Sequence, residues 1–235
     1  MEVEKSLRQK SHPGTVNSDL VIIPTMINDM EDSIIKQTLG LYCTLMNEVK
    51  NRTFAVTQVL NGLTTTTFEA TNIEFMCLQI RKILELISMG SLVMNKDLFE
   101  EIGQKYSQYW NAKYILSDIE RLNPNFYPIP IIEVPSDQKK IVNDLQNKTS
   151  RFLTRDDFVK IYDKCGMMMH ASNPFGSKYD YDFYNKQINE WLDLIIELLN
   201  SHLIHIKGID GFYLIHMEET GEKGVHGYYF EKKNI

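Results

Sequence analysis

Residues Thr71 to Leu92 constrain the fold more than any other stretch of this chain. Ile73, Phe75, Met76, Cys77, Ile80, Ile83, Leu84, Leu86 and Ile87 follow one another at helical spacing. At about 100° per residue they cover roughly 200° of a helix surface. A helix lying on a protein surface needs a stripe only about half that wide, so this one is expected to be enclosed by other helices. Thr71 and Glu74 have the T-x-x-E spacing of a capping box, which would start the helix there. The narrow remaining strip carries Glu74, Arg81, Glu85 and Ser88. Charges on a buried helix must be paired or face a cleft. Arg81 therefore has two readings: an ion pair with Glu74 or Glu85 along its own helix, or a cation at a site.

The rest of the chain reads as further helices around this one. Apolar residues from Met26 to Val49 recur at helical spacing, with Met30, Ile34, Leu41 and Leu45 as the expected inner stripe and Gly40 as a point where the helix bends or splits. The Asn61-Gly62 pair and the Thr64 to Thr67 run make a polar break. A short helical piece is expected from Asn95 to about Tyr106, and another from Trp110 to Leu122, stopped by Pro124. The Pro-rich segment from Asn123 to Pro130 reads as an extended wrap outside any sheet, and Ser136 to Ser150 as an exposed connection. Thr154 caps a helix with Phe158, Ile161, Tyr162, Cys165 and Met169 inward. In the last helix Ile188, Trp191, Leu192, Ile195, Leu198 and Leu199 face the core.

After residue 200 the period changes. Leu203 to Ile206, Phe212 to Met217 and Val225 to Phe230 read as three strands separated by glycine-containing turns. The expected fold is thus mainly α: an up-and-down helical bundle over residues 19–200, preceded by a flexible tail at 1–18 and followed by a small antiparallel β-meander at 201–235 packed on the bundle.

Bulk properties exclude several classes of function. A net charge of -6 argues against a broad electrostatic grip on nucleic acid and leaves room only for a local basic patch. No apolar run approaches the ~20 residues of a membrane span, and the charged N-terminus lacks the apolar core of a signal peptide, so a cytoplasmic location without membrane attachment is expected. Cys43, Cys77 and Cys165 are odd in number, far apart and set among apolar residues, the pattern of reduced, packed thiols. The chain contains no P-loop, no dinucleotide-binding glycine fingerprint, no H-E-x-x-H and no G-x-S-x-G.

Chemistry is best sought at the end of the helix that Thr154 begins. Asp163 and His170 are seven apart, on one side of a helix, and His170 precedes Ala171-Ser172-Asn173-Pro174. Two roles stand open for His170. One is a capping imidazole bonded to the last carbonyls; the other is a general acid or base facing a cleft, tuned by Asp163. His202, His205, His216 and His226 fall on or beside neighbouring strands. A turn centred near Ile209 would set His202 opposite His216, but two imidazoles alone make a weak metal site, and neither metal nor cofactor is expected. The Tyr179 to Tyr184 run and the Phe126-Tyr127 pair are flanked more by Asp than by Lys or Arg, which favours packing over base stacking.

The run Leu78-Gln79-Ile80-Arg81-Lys82-Ile83-Leu84-Glu85, followed by a later helix ending in His170-Ala171-Ser172-Asn173-Pro174, resembles the HEPN superfamily of prokaryotic helical domains. The resemblance covers roughly Asn72 to Leu199, without the Pro-rich segment or the hairpin. It implies a helical bundle that pairs into homodimers, a place in a bacterial defence or toxin–antitoxin system, and metal-independent ribonuclease activity. The family hallmark is an Arg followed by four to six residues and a His. Here Lys164 stands six positions before His170, and Lys lacks the bidentate fork of a guanidinium. By resemblance His170 would cleave RNA while Lys164 or Arg81 steadies the phosphate. The other expectation is a non-catalytic module that dimerises through the bundle and meets a protein partner through the meander.

Overall fold

The computed structural model describes residues 29–96, 111–136, 143–176, 178–207, 211–218 and 224–231. The expected tail at 1–18, the apolar run at 20–23 and most of the helical piece at 95–106 lie outside them. The described residues form five helices and one five-stranded antiparallel sheet. They are α1 (Asp29–Leu60), α2 (Glu69–Met94), α3 (Ala112–Leu122), β1 (Ile129–Pro135), β2 (Asn143–Asn147), α4 (Arg155–Met167), α5 (Tyr181–Leu199), β3 (Ser201–Ile204), β4 (Gly211–His216) and β5 (His226–Glu231).

Helix α2 is the hub, packing against α1, α3, α4 and α5. Twelve of its residues are buried, among them Ile73, Met76, Cys77, Ile80, Ile83, Leu84 and Ile87, as the breadth of its apolar surface requires. It does not start at a capping box. The helix begins at Glu69 after Phe68, which supplies no side-chain cap, and the Thr71 hydroxyl donates to the Phe68 carbonyl at 2.9 Å. The threonine loop closes this end instead: Thr65 Oγ1, Thr66 N–H and Thr66 Oγ1 all lie within 3.2 Å of Asn72 Oδ1.

Helix α1 runs straight through Gly40, where an added Cβ would meet nothing within 4 Å. Its inner face is Tyr42, Met46, Val49, Val56 and Val59; of the expected stripe Val49 is buried and Leu45 half-buried, whereas Leu41 is exposed. Helix α4 has the predicted cap, Thr154 Oγ1 accepting from Asp157 N–H at 3.1 Å, and at the start of α5 Asp180 Oδ1 accepts from Phe183 N–H at 2.9 Å. The six apolar residues expected inside α5 are all buried. At the end of α4 Met168 is buried and Met169 is exposed.

The sheet has the order β2-β1-β3-β4-β5. The meander β3-β4-β5 is as expected; the hairpin β1–β2 is not, since Ile129 to Pro135 and Asn143 to Asn147 join the sheet. The prolines allow this by position. Pro130 accepts from Lys148 N–H just past the end of β2, so its missing N–H falls where the ladder stops. One sheet face, with Ile204, Tyr213 and Ile215, completes the bundle core. The other gathers Ile131, Leu203, Phe212 and Leu214 into a second apolar cluster.

Candidate functional site

Arg81 projects from α2 onto α4, and the local sequence of α4 receives it. Its Nη1 donates to the Tyr162 carbonyl at 3.2 Å, and its Nη2 lies 2.6 Å from the Tyr162 hydroxyl. The guanidinium carbon sits 3.8 Å from the centre of the Tyr162 ring, a cation–π contact. Glu85, one turn along α2, places Oε1 3.4 Å from Arg81 Nε and accepts from the Tyr162 hydroxyl at 3.2 Å. Gly166, one turn beyond Tyr162, leaves the space: a Cβ there would lie 2.6 Å from Arg81 Nη1. Burial pushes the Tyr162 hydroxyl above its usual pKa, opposed by Arg81 and reinforced by Glu85. Behind this cage the buried thiols of Cys77 and Cys165 adjoin, and the bond to Cys77 together with burial raises Cys165.

Helix α4 ends without help from the His170 ring. Met168 N–H and Met169 N–H serve the carbonyls of Cys165 and Gly166 at 3.2 and 3.1 Å. The Tyr179 hydroxyl, across the loop, lies 3.0 Å from the carbonyl oxygens of both Met167 and His170. The capping role therefore falls to Tyr179 and the backbone. The His170 ring is exposed and forms no hydrogen bond or ion pair among the described residues.

Arg81 and His170 line one open groove of about 570 Å³, with Lys113, Tyr162, Asp163 and Met169. Lys113 stands at the start of α3, where Asn111 Oδ1 accepts its N–H at 3.1 Å. Its ammonium bonds Asp163 Oδ1 at 2.7 Å. The Asp163 carboxylate is thus directed to Lys113, and the expected orienting contact with His170 is not formed. Lys164 leaves the groove altogether. It follows Asp163 by about 100° around the helix and reaches toward α5, its Nζ 5.4 Å from the centre of the Phe183 ring. Of the four residues singled out by sequence, three share the groove and Lys164 does not.

Sequence reasoning missed Lys113, Tyr162, Gly166 and Tyr179. Tyr162 and Gly166 carry a weak signal, a small residue one turn from a large one on the face that meets α2. Lys113 carries none, because only the packing of α3 brings it near.

The strand histidines serve the fold. His202 pairs with Ile215, and His216 lies opposite Ser201 and His226, so the expected His202–His216 pairing is one residue out of register. That single step puts the two on opposite faces of the sheet. His202 is fully buried: its Nδ1 lies 2.7 Å from the Leu199 carbonyl and its Nε2 2.7 Å from the Tyr42 hydroxyl. A carbonyl only accepts, so Nδ1 carries the proton and Nε2 accepts from Tyr42. His216 Nε2 sits 2.7 Å from Glu133. Among the described residues no three His, Cys, Asp or Glu side chains gather in a way suited to a metal. The aromatic run packs, with Tyr184 donating to the Lys164 carbonyl at 3.0 Å and Phe183 edge-on to Trp191. Among the described residues no helix is long and apolar enough to cross a membrane.

Helical bundles with an antiparallel sheet serve many functions, so the class alone assigns none. No family model, curated protein or solved structure matches the chain.

Proposed function

We propose that this chain is an intracellular HEPN-like protein of a bacterial defence or toxin system that cleaves RNA without a metal. One observation carries the reading: Arg81 and an imidazole released from capping line the same open groove. In this scheme His170 removes the proton of a ribose 2′-hydroxyl, whose oxygen attacks the adjacent phosphorus. The bond to the 5′-oxygen breaks, and that oxygen takes the proton back from the imidazolium. Arg81, held by Glu85 and Tyr162, steadies the phosphate oxygens, in place of Lys164. Two copies pair with their grooves adjoining.

The test is incubation of the purified protein with total RNA, with and without EDTA, beside His170→Ala and Arg81→Ala. Cleavage should persist in EDTA, and His170→Ala should lower it at least about a hundredfold. Cleavage abolished by EDTA, or untouched by His170→Ala, overturns the proposal.

A second reading is a non-catalytic module that dimerises and binds a protein. It is favoured by the engagement of Arg81 with Glu85 and Tyr162 and of Asp163 with Lys113, which leaves the charges of the groove mutually satisfied. Absence of RNA cleavage, with a dimer measured by light scattering, would select it.

A further inference from the structure

The side of α4 turned away from His170 forms a second recess, against α5. Its floor is Ile161 of α4 with Phe183, Trp191 and Leu194 of α5. Ile161, Trp191 and Leu194 are buried edges, while Phe183 is 36% exposed. The α5 residues lie at spacings of eight and three, one stripe running about 16 Å along the helix. The recess itself holds about 210 Å³, room for one large side chain rather than a whole ligand.

Its rim is basic. Lys160 and Lys164, one turn apart on α4, stand on one side, and Arg151 stands at the end. Asp157 and Glu190 also reach the rim, but each is engaged, Asp157 by Lys160 at 3.4 Å and Glu190 by Arg151. Lys164 is different. It has no carboxylate partner among the described residues, and its ammonium lies over the Phe183 ring. Two of the three cations are thus neutralised in place, and Lys164 is the surplus charge beside the apolar floor.

We propose that this recess is a docking site for an acidic amphipathic helix of a partner protein. One apolar side chain of that helix fills the recess against Phe183 and Trp191, and a neighbouring carboxylate meets Lys164. A recess between two helices, apolar at its floor and carrying an unmatched cation at its edge, takes one apolar anchor of a third helix. A nucleic-acid strand fits less well, since a single cation without a carboxylate partner among the described residues gives no track for a run of phosphates.

The test uses the full chain carrying Trp110→Phe, which leaves Trp191 as the sole tryptophan reporter. The probe is a synthetic helix with leucine and phenylalanine along one face and glutamate elsewhere. Its counterpart with lysine for glutamate is the control, and a single-stranded RNA oligomer is the competitor. The acidic helix should change Trp191 emission saturably. Lys164→Glu should weaken it roughly tenfold, more at low salt than at high. Phe183→Ala should weaken it too, with unchanged circular dichroism. The proposal is overturned if the acidic helix gives no saturable change, if the lysine helix binds as well, if Lys164→Glu leaves the midpoint in place, or if the RNA gives the stronger response.

Discussion

Arg81 reaches α4 because Gly166 has no side chain, and both residues can be tested there. In Gly166→Ala the new methyl would sit 2.6 Å from Nη1, and the flexible end of Arg81 would give way before the helix does. Helix propensity favours alanine by about 1 kcal/mol, so the thermal midpoint should hold or rise slightly. On the proposed function RNA cleavage, in contrast, should fall about a hundredfold, because the group proposed to hold the phosphate is displaced by ångströms. Stability retained with activity lost, measured on one preparation, is the expected outcome. His202 gives a second residue-scale prediction. Burial, partly offset by its bond to Leu199, lowers its pKa from 6.5 to about 4. The folded state therefore favours the neutral ring, and this contribution is complete above about pH 6.5. As pH falls toward 4 it is lost, to the extent of about 2 kcal/mol by pH 5. Half-buried His205, also lowered by burial, acts in the same direction. Urea titrations at pH 7 and pH 5 should show the loss, and Tyr42→Phe with His202→Leu should reduce it. The place of His170 at the end of α4 was legible from the Asn173-Pro174 break behind it. Its freedom was not, because that depends on a tyrosine nine residues on, reaching back across a loop.

Among the elements, α2 was the easiest to read and still held a surprise. Its breadth of apolar surface announced a central helix, but Gly90 gave no sign of its task. A Cβ at Gly90 would meet the Tyr42 ring at 2.8 Å and Met46 at 3.2 Å. Here α1 packs tightly on α2, and Tyr42 is fixed from behind by His202. Gly90→Ala should destabilise the protein by about 1–3 kcal/mol through overpacking, despite its better helix propensity. Equilibrium unfolding would check the sign, which is opposite to that expected at exposed Gly40. Strands β1 and β2 were illegible for separate reasons. In β1, prolines at 130 and 135 imitate an extended wrap, and only their placement at the ladder's limits admits them. In β2, Asn-Asp-Leu-Gln-Asn has one apolar residue and no alternation, so pairing with β1 alone makes it a strand.

For the whole molecule, bundle and sheet share one core. Ile204, Tyr213, Ile215, Met217 and Val225 pack with residues from all five helices. Lys50 of α1 donates to the Met217 carbonyl at 2.8 Å, and Asn123 beyond α3 to the His205 carbonyl at 3.1 Å. A chain truncated after Leu199 should therefore lose more than the 5–15 kcal/mol by which a domain is held together. It should show no cooperative thermal transition by calorimetry. The order of the strands also matters while the protein is being made. The β1–β2 hairpin is complete early, but the side of β1 that meets β3 must wait until Ser201–Ile204 has left the ribosome. For that interval the nascent chain carries a bare strand edge, an invitation to mispair with neighbouring chains and a natural handle for a chaperone.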